Sequence, residues 1–399
     1  MEDGALPLQN SGMPPNGFPD MTKLDHLHEA SLLHNLRARF FADACPYTYT
    51  ADIVIAVNPY RWFNDLFTDD RRKLYSVPDR SHLDPHVYNT SAAAFFNLKA
   101  RGCDQSILVS GESGAGKTET VKILMGHLAY IASSEDQSHI ERIVKSNPLL
   151  EAFGNAQTVR NDNSSRFGKF IELQLDEKTQ LVGSKARTYL LEKSRIVGQD
   201  PGERSYHIFY QMLAADASAR AEYGLGDANR SRNTMRYTMG GQSKTDKIEG
   251  KTDAQCFANT IEALALVGVV DGLLAELWRG LAGVLLVGQT EFEGTDTSKV
   301  TAATSSEVEA AAKMFSVEAA ALDKALTKKT IKMRAESVTK SLDAAAALAT
   351  RDALAKAVYG RIFDWLVAKI CDATGAQGAS TQFVGMLDIF GFESFAINR

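Results

Sequence analysis

The chain has 399 residues, of which 44% are hydrophobic and 23% charged, and its formal net charge is −5. This composition is typical of a soluble globular protein with enough apolar material for a sizeable core. The acidic balance excludes a general nucleic-acid-binding role, which requires a basic face. The four cysteines form no CxxC pair, which favours a reducing compartment over a disulfide framework. No run of about 18 uncharged apolar residues occurs, so we predict no direct membrane insertion.

Hydrophobic periodicity and turn residues predict an α/β chain with long helical stretches. Residues 1–20 are rich in Gly, Pro and Asn and are predicted to form a disordered or extended arm. Segment 254–287 is interrupted by charges and is predicted to form two amphipathic core helices. Further helices are predicted at 21–42, 117–133, 203–223, 306–327 and 345–371. Strands are predicted at 48–58, 105–110 and 383–393, with a hairpin over 170–192 and a loop over 224–252.

The stretch "GESGAGKT", residues 111–118, follows a predicted strand and opens a predicted helix. It fits the pattern G-x-x-x-x-G-K-[ST] of a phosphate-binding loop, in which small residues let backbone N–H groups point at phosphates. The helix N-terminus adds a favourable dipole. The alternative is an ordinary Gly-rich turn. The candidate ligands are Gly111, Glu112, Ser113, Gly114, Ala115, Gly116, Lys117 and Thr118.

A second polar stretch, "VRNDNSSRFGKF", spans residues 159–170 and leads into a strand. Together Asn161, Ser164 and Ser165 offer amide and hydroxyl groups that can hold a phosphate, a water molecule and a metal. The alternative is a solvated turn before a hairpin, because Asn, Asp and Ser are common turn residues.

The third stretch, "LDIFGFE" at 387–393, ends an apolar strand with Asp388. A carboxylate at a strand end beside a phosphate loop can support Mg²⁺. In the same stretch Gly391 allows close backbone approach and Glu393 supplies a second carboxylate. The alternative is a strand end with a capping acid.

These three stretches together resemble the motor domain of the myosin family: "GESGAGKTET" is similar to its phosphate loop, "NDNSSRFGKF" to its switch I and "DIFGFE" to its switch II. The resemblance continues through "LHNLRARF", "NPY", "DPHVYNTSAAAFF", "NPLLEAFGNAQT" and "RDALAKAVYGRIFDWLV". It implies a P-loop NTPase-type α/β fold, with a mainly β central sheet flanked by many helices and incomplete at the C-terminal side. The implied divisions are a partial motor domain at 21–399, switch I at 161–170, an upper-half helical region at about 195–380 and switch II at 388–393.

The resemblance also implies roles at a site for ATP and Mg. Lys117 and the amides of 111–118 would hold phosphates. Thr118 and Ser165 would ligate Mg²⁺, with Asp388 supporting the metal from one layer further out. The further implied roles are phosphate contact by Asn161, positioning of the attacking water or proton relay by Ser164, an ion pair between Arg166 and Glu393, and a γ-phosphate contact from the Gly391 amide.

The sequence departs from the family pattern at two places. In the implied adenine loop, Asn58 and Pro59 match but Arg61 stands where the family has Lys. The family's sheet also takes one strand, beside the phosphate-loop strand, from a part that follows switch II. This chain is therefore expected to leave that slot empty or to close over it.

The function that the resemblance implies is the ATP-binding and ATP-hydrolysing part of an actin-based motor, a Mg-dependent ATPase of the cytoplasm and cytoskeleton. The alternative is a truncated nucleotide-binding pseudo-motor or regulatory fragment without motility. A P-loop kinase would need a lid and an acceptor site, which the sequence does not suggest. Actin is the expected partner, through the loop around Glu336, and light chains are not expected on this segment.

Overall fold

The computed structural model describes residues 10–42, 46–112, 114–132, 138–227, 229–332, 337–376 and 380–389. The chain divides into two compact units, each taken by itself below. The sheet unit comprises Met1–Val144, Phe170–Lys185 and Gly375–Arg399, and the helical unit comprises Lys145–Lys169 and Ala186–Thr374.

The α-helices, in chain order, are α1 (Glu29–Ala42), α2 (Asp69–Tyr75), α3 (Val87–Arg101), α4 (Lys117–Ile131), α5 (Ser138–Gly154), α6 (His207–Leu213), α7 (Ala217–Glu222), α8 (Arg236–Met239), α9 (Asp253–Leu266), α10 (Asp271–Gly288), α11 (Ser305–Met314), α12 (Ala319–Thr327) and α13 (Ala344–Thr374).

The strands are β1 (Tyr47–Thr50), β2 (Ile53–Ala56), β3 (Gln105–Val109), β4 (Asn155–Ala156), β5 (Ser164–Ser165), β6 (Gly168–Leu175), β7 (Leu181–Tyr189), β8 (Lys247–Ile248), β9 (Lys251–Thr252), β10 (Phe292–Glu293), β11 (Lys299–Val300), β12 (Lys328–Lys332), β13 (Ser337–Ser341) and β14 (Gln382–Asp388).

The main sheet has the strand order β3-β14-β6-β7, so the predicted hairpin over 170–192 is confirmed as two neighbouring strands. The strands β3 and β14 are parallel, with Ile107 opposite Met386 and Val109 opposite Asp388. Ile107 and Met386 are buried against the apolar side of α4. Because parallel strands end at the same edge of a sheet, this register brings Asp388 to the point where β3 runs into the phosphate loop.

The predicted single strand at 48–58 is instead a two-stranded hairpin, β1–β2, whose turn contains Ala51 and Asp52. Ala51 has a φ of 52°, in the left-handed region that two-residue hairpin turns require. A groove of about 570 Å³ is lined by β2 and by β3, among other residues. Within the described residues, β3 pairs with β14 alone.

The predicted arm at 1–20 is corrected for its described part, residues 10–20, which are irregular but held in place. The Asn10 side chain donates to the His26 carbonyl at 3.1 Å and accepts from the His26 amide at 2.7 Å. The Phe18 amide donates to Asn35 Oδ1 at 2.7 Å. These hydrogen bonds offset the entropy that a Gly- and Pro-rich segment loses on ordering.

The helical unit is built around α10, which packs against α11 and α13. The two core helices predicted over 254–287 are confirmed as α9 and α10. Two long helices were wrongly predicted: 203–223 is broken between α6 and α7, and 306–327 is broken after Phe315, where Ser316 has a φ of 56°. The strands on either side of the loop expected around Glu336 pair as an antiparallel ribbon, β12–β13.

Among the described residues, none of the helices combines the length and the apolar character needed to cross a membrane.

Candidate nucleotide site

The phosphate loop connects β3 to α4, as the sequence predicts. Gly114 has a φ of 81° and Gly116 a φ of 90°, values that favour glycine, and Gly116 is the N-cap residue of α4. A Cβ on Gly111 would lie 3.2 Å from the Ala115 Cβ, so the loop folds tightly on itself. This backbone leaves N–H groups at the start of a 15-residue helix, where an anion is favoured. Ser113 lies outside the described residues.

Lys117 folds back over the loop that precedes it. Its Nζ donates to the carbonyl oxygens of Gly111, at 2.7 Å, and of Glu112, at 2.8 Å. The ammonium is therefore held at the concave side of the loop by neutral acceptors. A phosphate oxygen would be a stronger, charged acceptor for the same group.

Thr118 and Asp388 meet although 270 positions separate them in the sequence. The Thr118 hydroxyl donates to Asp388 Oδ2 at 3.1 Å, and Asp388 is 2% exposed. The sequence predicted both residues for one metal site, and the structure brings them together. What unites them is the parallel register of β3 and β14, which places the last residue of β14 beside the first turn of α4.

The residues predicted for the adenine loop have different neighbours. Asn58 Nδ2 donates to the Gly114 carbonyl at 2.8 Å, so this amide braces the phosphate loop. The exposed guanidinium of Arg61 lies 4.5 Å from the Phe63 ring centroid, a cation–π contact. Pro59 follows Asn58 and is half-buried.

The switch I stretch lies in the helical unit, where β4 and β5 pair Asn155 with Ser165 and Ala156 with Ser164. The loop between the two strands is closed by the Thr158 amide, which donates to the Asn161 carbonyl at 2.9 Å. The Asn161 side-chain oxygen accepts the Asn163 amide at 3.0 Å. The structure therefore places a turn in the segment that the sequence predicted either as a functional loop or as a solvated turn.

Arg166 donates from Nη1 to Ser164 Oγ at 3.2 Å and from Nε to Glu192 at 2.6 Å. Burial alone would raise the pKa of Glu192, but the hydrogen bonds and charges of Arg195 and Arg166 hold that pKa below its usual range. The sequence analysis missed Glu192, which has no motif of its own. The predicted partner Glu393, like Gly391, lies outside the described residues.

The chain is similar to known proteins over nearly its whole length. The family model described as "Myosin head (motor domain)" matches residues 18–399. The chain belongs to this family. It is similar to Myosin-13 of Arabidopsis thaliana, at 41% identity over 392 residues, which cover 97% of this chain and 26% of that protein. It is also similar to Myosin-7, 42% identical over 96% of this chain and 22% of that protein, and to Myosin-15, 42% identical over 96% and 25%, both of the same plant.

The family assignment confirms the resemblance and, with the mixed sheet and surrounding helices, the α/β motor-domain fold. The chain spans about a quarter of the length of the curated relatives it matches. The activity and partners of a whole myosin are therefore proposals for this chain.

The donor chemistry around Thr118 fits Mg²⁺. A hydroxyl and a buried carboxylate are the oxygen ligands that this cation prefers, and Mg²⁺ is commonly held by few protein groups together with substrate phosphates. Among the described residues no cluster of three or more His, Cys, Asp or Glu side chains is suited to a metal. A metal at Thr118 would therefore depend on the nucleotide for most of its ligands.

Proposed function

We propose that this chain binds Mg·ATP at residues 111–118 and hydrolyses it as part of a myosin-type, actin-based motor of the cytoskeleton. The observation that carries the proposal is the combination of Lys117 over the loop and the hydrogen bond between Thr118 and Asp388. An ordinary Gly-rich turn needs neither a lysine folded over its carbonyls nor a buried carboxylate from another strand.

In the proposed mechanism the loop amides and the α4 dipole hold the phosphate oxygens. Lys117 exchanges its two carbonyl acceptors for the β- and γ-phosphates, and its positive charge stabilises them. Thr118, Ser165 and Asp388 would hold Mg²⁺, which supplies charge neutralisation at the β- and γ-phosphates. No covalent intermediate is needed, because water attacks the γ-phosphate in line.

The remaining assignments follow from family membership. Asn161 would contact phosphate, Ser164 would orient the attacking water, and the Gly391 amide would bind the γ-phosphate. Asn58 contributes by bracing Gly114. Family membership implies that Arg61 would lie at the adenine together with Asn58 and Pro59, and its guanidinium lies over the Phe63 ring.

The proposed filament partner is actin, approached through the region of the β12–β13 ribbon. Glu336, the residue proposed to supply a fixed negative charge to this partner, lies outside the described residues. The competing function is a nucleotide-binding pseudo-motor or regulatory fragment without motility.

The first experiment removes the lysine amine. Lys117→Ala should lower affinity for Mg·ATP by at least about 100-fold, because a charged hydrogen-bond donor to two phosphates is lost. Titration with a fluorescent ATP analogue measures the change. The matched control is Lys122→Ala on the same helix, since Lys122 pairs at 2.8 Å with the exposed Glu119 and should leave affinity unchanged. Equal affinity in wild type and Lys117→Ala would contradict the proposed site.

A further inference from the structure

Asn163, in the switch I stretch, makes its side-chain hydrogen bonds within a polar cluster of the helical unit. Its Nδ2 lies 3.2 Å from Glu151 Oε2 and 3.2 Å from Glu249 Oε1. Its Oδ1 accepts from Asn155 Nδ2 at 2.9 Å and faces His207 Nε2 at 3.2 Å. A side-chain amide has two donor hydrogens and two acceptor sites, and all four are used here.

The orientation of this amide is determined by its neighbours. Ionised carboxylates accept hydrogen bonds but cannot donate them, so the end that faces Glu151 and Glu249 must be the NH₂ group. The oxygen then faces Asn155 and His207, and His207 must donate from Nε2. Burial, with a smaller contribution from the charge of Arg204, lowers the pKa of His207 to about 3, so the ring is neutral and this single N–H is its donor.

One of the four partners comes from an exposed hairpin. The strands β8 and β9 are joined by the two-residue turn Glu249–Gly250. Glu249 has a φ of 50°, in the left-handed region where such turns favour Asn, Asp or Gly. A glutamate there costs stability, and its longer side chain is what spans the distance to Asn163. The residue at this turn is thus better explained by its contact with switch I than by the needs of the hairpin.

We infer that Asn163 positions the switch I loop through its hydrogen bonds to Glu151, Asn155, His207 and Glu249, which we call the clamp. Of these four partners, Glu249 on the β8–β9 hairpin is the one that can be changed at the surface. Of the other three partners, Asn155 and His207 are buried and Glu151 is half-buried, and together they fix the position of the loop. The hairpin closes the clamp from the surface. This inference rests on the proposed function for its effect on hydrolysis, but the clamp itself is testable without ATP.

The first test is amide hydrogen exchange of the full chain without nucleotide. Glu249→Asn relaxes the turn backbone, but the asparagine side chain is too short to reach Asn163. The rate of amide exchange within 159–165 should therefore rise about fivefold, which corresponds to the free energy of one part-exposed hydrogen bond to a charged group. Glu249→Gln keeps an acceptor at the same reach and should restore most of the protection. The thermal midpoint should not fall in either variant.

A matched control separates loss of the contact from relief of the backbone. Ala51 occupies the same left-handed position in the two-residue turn of β1–β2. Ala51→Asn should therefore relax a left-handed residue at the first position of another two-residue turn while leaving exchange at 159–165 unchanged. If Glu249→Asn and Ala51→Asn have the same effect on 159–165, or if neither variant changes it, the clamp is refuted.

The second test converts the amide into an acid. Asn163→Asp is isosteric, but it replaces the two donors with an acceptor opposite two carboxylates, so exchange at 159–165 should rise about 100-fold through like-charge repulsion. Single-turnover hydrolysis should slow by a similar factor while nucleotide affinity stays within about twofold. A fall in affinity equal to the fall in rate would overturn the positioning role.

The outcomes for the clamp and for the proposed function are distinguishable. If the wild-type chain fails to hydrolyse ATP, the proposed function fails, and exchange at 159–165 still decides the clamp. If the wild type hydrolyses ATP and Asn163→Asp changes neither exchange nor rate, the clamp fails and the proposed function stands.

Discussion

The phosphate loop of the sheet unit takes its shape mainly from its own backbone, with one side-chain brace from Asn58, whereas the switch I loop of the helical unit is held mainly by side chains from elsewhere in the sequence. In the first, left-handed glycines and a helix N-terminus lie within eight residues, an arrangement that favours an anion. In the second, Asn163 and Arg166 are held by Glu151, His207 and Glu192. A site of the first kind is preformed, whereas one of the second kind shifts when any distant partner changes.

The largest expected effect is on the switch side. Arg166→Glu sets a carboxylate against Glu192, its partner at 2.6 Å, so the end of switch I should lose its geometry. Hydrolysis should fall by about 10²- to 10³-fold, the range for removing one aligned polar group from a transition state. ATP affinity, which depends on the separate phosphate loop, should change less than about threefold. Rapid-quench hydrolysis and analogue titration measure the two quantities.

The double variant Arg166→Glu with Glu393→Arg tests the ion pair that family membership implies. Partial recovery of the rate would support that pair by a double-mutant cycle. A double variant no faster than Arg166→Glu would leave Glu192 as the partner that matters. A large loss of ATP affinity in Arg166→Glu alone would break the contrast between the two loops.

The next effect is on the backbone of the phosphate loop. Gly116→Val forces a β-branched residue to a φ of 90° and should weaken ATP binding roughly 10- to 100-fold through 1–3 kcal/mol of strain. Exchange at 159–165 should not change, since no side-chain clamp is altered. The matched control is Gly126→Ala in the middle of α4, where an added Cβ meets nothing within 4 Å and should stabilise the helix by up to about 1 kcal/mol.

The smallest expected effect is a loss of folding stability at acidic pH. Burial lowers the pKa of His86 to about 3 and of His127 to about 4 in the sheet unit, and that of His207 to about 3 in the helical unit. These rings are neutral when folded and take up protons when unfolded. Stability is therefore complete above the ordinary histidine pKa of about 6.5 and is lost as the pH falls towards 3 or 4.

At pH 5.5 each of these histidines should cost about 1.4 kcal/mol of the free energy of unfolding. Because the sheet unit has two of these histidines and the helical unit one, the sheet unit should lose about 1.4 kcal/mol more of its free energy of unfolding at this pH. Native-state hydrogen exchange at pH 7.5 and 5.5, corrected for intrinsic rates, resolves the two units. A greater loss in the helical unit would contradict this prediction, and His127→Gln should reduce the loss in the sheet unit.

Local features of the sequence were enough to predict the phosphate loop. The spacing of its glycines and Lys117 dictates a turn of one kind, and the apolar period after Lys117 dictates the helix that α4 forms. The two amphipathic helices α9 and α10 were predictable for the same reason, because the pattern and the interruption between them lie within one segment. Family membership was predictable because three such stretches occur in order.

Only the tertiary structure decided which distant groups meet. The strand register joined Thr118 to Asp388, and the packing of the helical unit set His207 and Glu151 around Asn163. The hairpin turn at Ala51 was missed because the apolar residues on either side of it form one continuous β pattern. A residue's neighbours along the chain determine its backbone preferences, but a hydrogen bond between side chains dozens or hundreds of positions apart depends on the packing of whole elements, which no local pattern encodes.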